Sequence, residues 1–264
     1  MGKQNLKLHS LEDPIVLEGI LGVNKIKQNR NLKGHITGGM AVQSYLPSEI
    51  NRKTVDLDFR LLWGGIKQDF DLAVEPLINH FKDNGYNVSG PKKRDVTYEM
   101  IVEKGGDSLV LQHQRAFPNN FEKHRNQYER EMANQRIINR DGITYSVLSP
   151  EDIVAHKLSR IMTFTDSYGI SYPSKFNEFS ADKLKEDADK IREGIITRQG
   201  GVEPREVARM RVLYDCVDIK NLAHYAGLNE KYLLESFEGF ETSTKKKEGI
   251  LLSGLDLIGI SLSK

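Results

Sequence analysis

The chain lacks several features that mark secreted or membrane-bound proteins. Among its 264 residues there is one cysteine, Cys216, so no disulfide can form within the chain. No apolar stretch reaches the ~18 residues expected of a membrane-spanning helix. The first residues, Met-Gly-Lys-Gln-Asn-Leu-Lys, lack the apolar centre of a secretory signal. We therefore expect a cytoplasmic protein with no membrane partner.

An excess of charge of one sign is also missing. The formal net charge is +1, so no overall positive field draws the protein to nucleic acid. Two short basic runs, Lys92-Lys93-Arg94 and Lys245-Lys246-Lys247, are interpreted as solvated loop residues, with RNA-backbone contact as the alternative. With 38% hydrophobic and 28% charged residues, the composition is that of a globular protein of one large or two small domains.

A strand with two aspartates carries the first chemical signal. In the run Val55–Leu62, Asp56, Asp58 and Arg60 alternate with apolar residues, so the three side chains point to one face. The two carboxylates are ~7 Å apart at the backbone and repel each other by ~2–2.5 kcal/mol at an effective dielectric of ~20. A divalent cation between them turns this repulsion into attraction. The pair predicts a Mg²⁺ (or Mn²⁺) site that also takes substrate phosphates.

A glycine pair precedes this strand. Gly38 and Gly39 open a short predicted helix that starts at Met40 and stops before Pro47. Glycines let the backbone approach a phosphate, and free N–H groups at a helix start attract an anion. The backbone at Gly38, Gly39 and Met40 is therefore a candidate phosphate cradle. A cradle followed by a metal site is typical of enzymes that use nucleoside triphosphates.

The pattern of apolar residues changes near residue 148. Before it, helices and strands alternate, which predicts an α/β domain over residues 1–148; after it, helical periodicity predicts a helical bundle over 149–264 that walls one side of the active-site cleft. The predicted helices are 13–30, 40–46, 68–84, 150–164, 180–197, 204–226 and 229–237, and the later strands are 95–103, 108–115 and 143–148. Residues 119–136 have no clear pattern, 164–179 are predicted as a loop, and 249–262 as a terminal helix or docking tail.

Two bundle helices carry charges on apolar faces. Lys157 falls inside the apolar stripe of its helix, where a lysine either extends to the stripe edge or faces a negative partner. In the helix over 204–226, Arg211, Asp215 and Asp218 share one strip. They either form a structural ion pair, or one aspartate faces Lys157 or a substrate.

These motifs together resemble the nucleotidyltransferase superfamily with the DNA polymerase β catalytic fold, and within it the AbiEii/AbiGii abortive-infection toxins. The matching elements occur in the family's order between about residues 35 and 225. They are Gly38-Gly39, Asp56-Leu57-Asp58, the helix Glu-Asp-Ile-Val-Ala-His-Lys-Leu at 151–158, and Asp215-Cys-Val-Asp218.

The resemblance implies both a fold and an activity. The fold would be a polymerase β-like core with a small mixed sheet, followed by a helical bundle. The activity would be Mg²⁺-dependent transfer of a nucleoside monophosphate from a nucleoside triphosphate to an acceptor hydroxyl, on an RNA 3′ end (tRNA-like) or a protein. Asp56 and Asp58 would hold the metal, Lys157 would neutralise the leaving pyrophosphate, and Asp215 and Asp218 would be site residues. A toxin-like relative would have a cognate antitoxin as partner.

The chain departs from the family at two positions. Met40 stands where relatives carry a hydroxyl residue, so only backbone N–H groups remain for a phosphate. Such sites also use a third carboxylate from a neighbouring strand, and the strand over 109–115 has none. Glu99 and Glu103 on the preceding strand are the candidates; otherwise the site has two aspartates. The alternative function is a degraded nucleotidyltransferase fold that binds a nucleotide or a partner without turnover.

Overall fold

The computed structural model describes residues 7–62, 67–93, 97–114, 118–170, 179–197 and 203–238. The chain divides into two compact units, Met1–Ser149 (unit 1) and Pro150–Lys264 (unit 2). Within the described ranges, no helix is both long and apolar enough to cross a membrane.

Unit 1 is a mixed sheet with helices. Its helices are α1 (Pro14–Arg30), α2 (Gly38–Gln43), α3 (Lys67–Asp83) and α4 (Pro118–Asn134). Its strands are β1 (Gly34–Thr37), β2 (Asp56–Leu61), β3 (Asn87–Lys93), β4 (Thr97–Lys104), β5 (Asp107–Gln114), β6 (Arg136–Arg140) and β7 (Ile143–Val147). The described strands form one sheet in the order β3-β4-β5-β2-β1-β7-β6. β2 runs parallel to β5 and antiparallel to β1.

The apolar face of the central strands is covered by helices. Leu57 and Phe59 of β2 are fully buried, and α1 contacts β2, β5 and α3. Two glycines allow this close packing. A Cβ on Gly19 would lie 2.6 Å from Leu57, and one on Gly22 would overlap Leu77 of α3. The opposite face of β2 is left to polar residues.

Unit 2 is helical in its described part. It contains α5 (Pro150–Tyr168), α6 (Ala181–Thr197), α7 (Pro204–Tyr225) and α8 (Glu230–Glu238). α7 packs against α5 and α6, and α8 packs against α5. α5 starts as predicted, with proline at its first position directly after Ser149. The boundary predicted at Phe164 was wrong, because α5 continues to Tyr168. Residues 171–178, Lys245–Lys247 and 249–262 lie outside the described residues.

The sequence patterns missed one helix and three strands of unit 1. The missing helix is α4, and the missing strands are β1, β3 and β6. β1 has only four residues, and β3 and β6 are edge strands with mostly exposed side chains, so no burial alternation marks them. Lys92 and Lys93, interpreted as loop residues, lie on edge strand β3; Arg94 is outside the described residues.

Candidate active site

The two aspartates of β2 form an acidic platform, the name used here for Asp56 and Asp58. Both side chains are half-buried, whereas Leu57 and Phe59 between and after them are 0% exposed. The alternation predicted from the sequence is therefore present. Both carboxylates lie on the face of β2 opposite to Leu57 and Phe59, two residues apart along the strand.

The backbone at Gly38 lies directly against this platform. β1 ends at Thr37, which pairs with Asp58, and the chain then turns into α2. Gly38 has φ +68°, in the left-handed region that favours glycine. A Cβ on Gly38 would overlap the Asp58 carboxylate, lying 2.7 Å from Cγ and 2.9 Å from Cβ. Both the backbone conformation and the lack of space therefore require glycine here.

Asp56 is positioned by a residue that the sequence patterns did not single out. The Thr54 hydroxyl donates a hydrogen bond of 2.6 Å to Oδ1 of Asp56. Thr54 is itself anchored by two backbone hydrogen bonds to His9. A Cβ on Gly39 would lie 3.2 Å from Cβ of Thr54. The signal in the sequence was a hydroxyl residue two positions before Asp56.

Met40 contributes to the core with its side chain. That side chain is 0% exposed, although α2 starts only two residues earlier. Met40 can therefore bind a phosphate only through its backbone N–H. A hydroxyl side chain in this orientation would be directed into the apolar core.

The register of the sheet shows what stands beside the platform. Asp58 is in register with Gln112 of β5, and Gln112 with Glu99 of β4. Glu99 is thus two strands from Asp58, ~10 Å at the backbone. Glu103 pairs with Ser108 of β5. Ser108 is four residues from Gln112 along this strand, a distance of ~13 Å, so Glu103 is farther from the platform than Glu99 is. Within the described part of the chain, no three Asp, Glu, His or Cys side chains come together as a metal site.

Arg60, on the same face of β2, is enclosed by α4. Its guanidinium pairs with Glu131, and both side chains are at most 5% exposed. Gln127 donates a 2.8 Å hydrogen bond to the same carboxylate, and the Tyr128 ring lies 5.0 Å from Cζ of Arg60. This polar contact explains why α4 has no apolar stripe. Arg60 therefore stabilises the packing of α4 against β2.

His113 lies on the opposite, apolar side of β5. Its Nε2 accepts a 3.1 Å hydrogen bond from the backbone N–H of Leu61. Burial, together with the positive charge of Arg60, lowers the pKa of His113 to about 3. A neutral imidazole is therefore part of the core, and the structure offers it no role at the platform.

Unit 2 contains a second group of charges, the charge cluster of Lys157, Arg160, Asp215 and Asp218. The Lys157 ammonium lies 3.0 Å from Oδ1 of Asp215 and 2.7 Å from Oδ2 of Asp218. Lys157 is 3% exposed, and the two aspartates at most 1%. Lys157 therefore faces negative partners and does not extend to the edge of the stripe.

Arg160 completes the cluster and was missed. Its Nε donates a 2.7 Å hydrogen bond to Oδ2 of Asp215, and its Nη2 pairs with Oδ1. Arg211, which the sequence placed beside Asp215, is exposed. Burial alone would raise the pKa of Asp215, but the charges of Arg160 and Lys157 and their hydrogen bonds hold it at about 2. Burial raises the pKa of the neighbouring Cys216 thiol, which is a small core residue.

The acidic residues at the start of α5 hold α8. The backbone N–H of Asn229 donates to Oε1 of Glu151 at 2.8 Å, and the Tyr232 hydroxyl donates to Oδ2 of Asp152 at 2.7 Å. Glu151 and Asp152 are at most 1% exposed. This part of the Glu-Asp motif has a structural contact within unit 2.

Comparison with solved structures identifies the architecture. An antigenic nucleotidyltransferase-like protein from Paracoccidioides brasiliensis superposes with a TM-score of 0.51 at 14% identity, covering 95% of this chain and 90% of that one. The fold is nucleotidyltransferase-like. This confirms the predicted fold class. The antibiotic-resistance factor ANT(2″)-Ia gives a TM-score of 0.34 at 18% identity over 67% of this chain and 94% of its own. No family model matches the chain, and no curated protein is significantly similar in sequence.

Within the nucleotidyltransferase-like fold, the predicted site residues fall into two groups. Gly38, Gly39, Asp56 and Asp58 converge in unit 1, and Lys157, Asp215 and Asp218 converge in unit 2. Thr54 and Arg160 are added by the structure, one to each group.

Proposed function

We propose that the chain is a Mg²⁺-dependent nucleotidyltransferase that moves a nucleoside monophosphate from a nucleoside triphosphate to an acceptor hydroxyl. Unit 1 is the proposed catalytic domain, and unit 2 a helical bundle domain. The observation that carries the proposal is the approach of the Gly38 backbone to the Asp58 carboxylate. Phosphate-binding backbone and metal-binding carboxylates are needed side by side in this chemistry.

The donor set fits a hard divalent cation. Asp56 and Asp58 supply two carboxylates on one face, and Thr54 orients one of them. They would hold Mg²⁺ or Mn²⁺. A cation bound there would neutralise charge on the substrate's phosphate oxygens.

The residues of the chain supply binding and orientation. The backbone N–H groups at Gly38, Gly39 and Met40 bind the phosphate tail, since the lack of a side chain at position 38 lets this backbone lie against Asp58. The acceptor oxygen forms a bond to the α-phosphorus while the bond from that phosphorus to its bridging oxygen breaks. Pyrophosphate leaves, and the hydroxyl proton passes to solvent.

The charge cluster of unit 2 has a proposed part in the same reaction. Lys157 would neutralise the charge that develops on pyrophosphate. In unit 2 the Lys157 ammonium is bound by Asp215 and Asp218. Arg160 shares Asp215 and its side chain is 45% exposed, so it is the cation of the cluster that reaches solvent.

The proposed acceptor is an RNA 3′ end or a protein hydroxyl. A toxin-like component of a toxin–antitoxin or phage-defence system, with a cognate antitoxin as partner, is the corresponding biological role. These assignments rest on the resemblance of the ordered motifs. They predict growth arrest on expression of the native chain, and none with Asp56→Asn/Asp58→Asn.

A transfer assay tests the activity. The native chain and the Asp56→Asn/Asp58→Asn variant are incubated with Mg²⁺, each α-labelled nucleoside triphosphate in turn, cellular RNA and protein extract. We expect label in RNA or protein with the native chain, and a loss of at least about 10²–10³-fold in the double variant. Glu103→Gln, the same chemical change on an exposed carboxylate of β4, should keep full activity. Equal labelling by native chain and double variant would contradict the metal assignment.

A binding module without turnover is the second candidate. Gln112, a neutral residue in register with Asp58, favours it. This function predicts that a folded native chain binds nucleoside triphosphate with Mg²⁺ in calorimetry and gives no label in any lane. Label with any one nucleotide rejects it.

A further inference from the structure

The platform has an immediate neighbour that is neutral. Gln112 of β5 is in register with Asp58, and its side chain is half-buried, between the buried residues Leu111 and His113 of the opposite face. Residues in register on adjacent strands point to the same side of a sheet. Gln112 is therefore the side chain nearest to the Asp58 carboxylate across the β2–β5 ladder.

We propose that Gln112 occupies the third protein position of the acidic platform and limits it to a single divalent cation. This inference rests on the proposed nucleotidyl transfer. Two aspartates carry two negative charges, which one divalent cation neutralises. The Gln112 carbonyl oxygen adds a neutral ligand to that cation without the charge that a second cation would need.

The charged side chains on the neighbouring strand β4 lie farther from Asp58 than Gln112 does. Glu99 is one strand beyond Gln112, ~10 Å from Asp58 at the backbone, and Glu103 is in register with Ser108 instead of Gln112. Arg60, the next residue on this face of β2, pairs with Glu131. The platform therefore offers two carboxylates and one amide from adjacent strands.

The amide has a consequence for the reaction. A carboxylate beside the acceptor hydroxyl accepts its proton, whereas an amide does not at neutral pH. Gln112 instead contributes its carbonyl oxygen to the cation, and its NH₂ group can only donate hydrogen bonds. Gln112 is therefore a neutral ligand that takes up no proton, and the acceptor's proton goes to solvent.

Mn²⁺ titration followed by electron paramagnetic resonance tests the proposal without relying on activity. We expect the native chain to bind one Mn²⁺, Gln112→Glu to bind two or to bind the first at least about tenfold more tightly, and Asp56→Asn/Asp58→Asn to bind none. Ser108→Glu is the matched control. It adds the same charge on the same face of β5, four residues away, and should leave the native stoichiometry and affinity unchanged.

The outcomes separate this proposal from the proposed function. Two Mn²⁺ ions in the native chain, or unchanged binding in Gln112→Glu, would overturn the role of Gln112 while leaving the platform intact. Equal gains in Gln112→Glu and Ser108→Glu would also overturn it, since the effect would be one of overall charge. No Mn²⁺ binding by the folded native chain would overturn both. Circular dichroism confirms that each variant is folded.

Discussion

The two pairs of aspartates in this protein lie in contrasting surroundings. Asp56 and Asp58 are half-buried; the Thr54 hydroxyl donates to Asp56, and the Gly38 backbone lies against Asp58. Asp215 and Asp218 are fully buried and bound by Lys157 and Arg160. The first pair is accessible from solution, whereas the second is enclosed and bound by two cations of the chain. Spacing alone therefore does not distinguish an accessible acidic platform from an internal ion cluster; burial and the partners that folding brings together do.

The largest effect expected is on stability, at Lys157. Lys157→Met removes the ammonium from two buried carboxylates, of which Asp215 keeps Arg160, and removing one partner of a buried charge pair costs about 3–5 kcal/mol. Urea unfolding measures this free energy. Lys190→Met breaks an exposed pair with Glu186 and should leave the free energy of unfolding nearly unchanged. Similar losses in both variants would show that the cluster is no more than a surface network.

On activity, the largest single-residue effect is expected at Gly38. Gly38→Ala should reduce transfer by about 10²-fold, because the new Cβ displaces the Asp58 carboxylate, and a shift of ~1 Å has this cost. Gly105→Ala is the matched control. Gly105 also has a positive φ, +59°, but nothing lies within 4 Å of its Cβ position. Steady-state rates of both variants separate steric displacement from backbone strain, and equal rates would contradict the close approach.

Acid should affect the charge cluster in a defined range. Because the pKa of Asp215 falls from 3.8 to about 2 on folding, its contribution to stability is complete above pH 3.8 and is lost as the pH falls towards 2. The loss expected is about 2 kcal/mol. Measured by urea unfolding between pH 5 and 2, the free energy of unfolding should fall by this amount in the native chain and by less in Asp215→Asn. Glu186→Gln, at an exposed pair, provides the comparison; an identical slope in Asp215→Asn would assign the effect to other groups.

The smallest effect is expected at Thr54. Thr54→Val removes the hydrogen bond that orients Asp56, and loss of a group that orients a metal ligand costs about tenfold in metal affinity or activity. Thr54→Ser keeps the hydroxyl and should retain near-native Mn²⁺ affinity. If the valine and serine variants bind Mn²⁺ equally, the hydroxyl has no part in the platform.

Elements whose apolar residues repeat every two or every 3.6 positions were predictable from the sequence, whereas the helix α4, which polar contacts stabilise, was not. The aspartate strand and the helices α1, α3 and α5 to α8 follow apolar patterns, and all were expected within a few residues. α4 has no such pattern, because Glu131 and Gln127 face the buried Arg60. A buried ion pair replaces apolar contact there, and periodicity does not record it.

The candidate site shows the same limit. Local geometry was enough to predict that Asp56 and Asp58 share a face. The partner of Lys157 was left open, since Lys157 and Asp215 are 58 residues apart in the chain and their two helices had to meet before Asp215 could neutralise the lysine. Arg160 was overlooked because half of its side chain is exposed and its spacing resembles that of any surface arginine.

The linear order of residues was sufficient for local properties: which face a side chain takes on a strand, where a proline begins a helix, and which glycines lie ahead of an acidic strand. These depend on backbone periodicity and covalent geometry over a few residues. Only the tertiary structure decided that Gly38 touches Asp58, that Gln112 stands beside it, and that Lys157 is bound by two aspartates. Those contacts depend on strand register and helix packing, which join residues far apart in the chain.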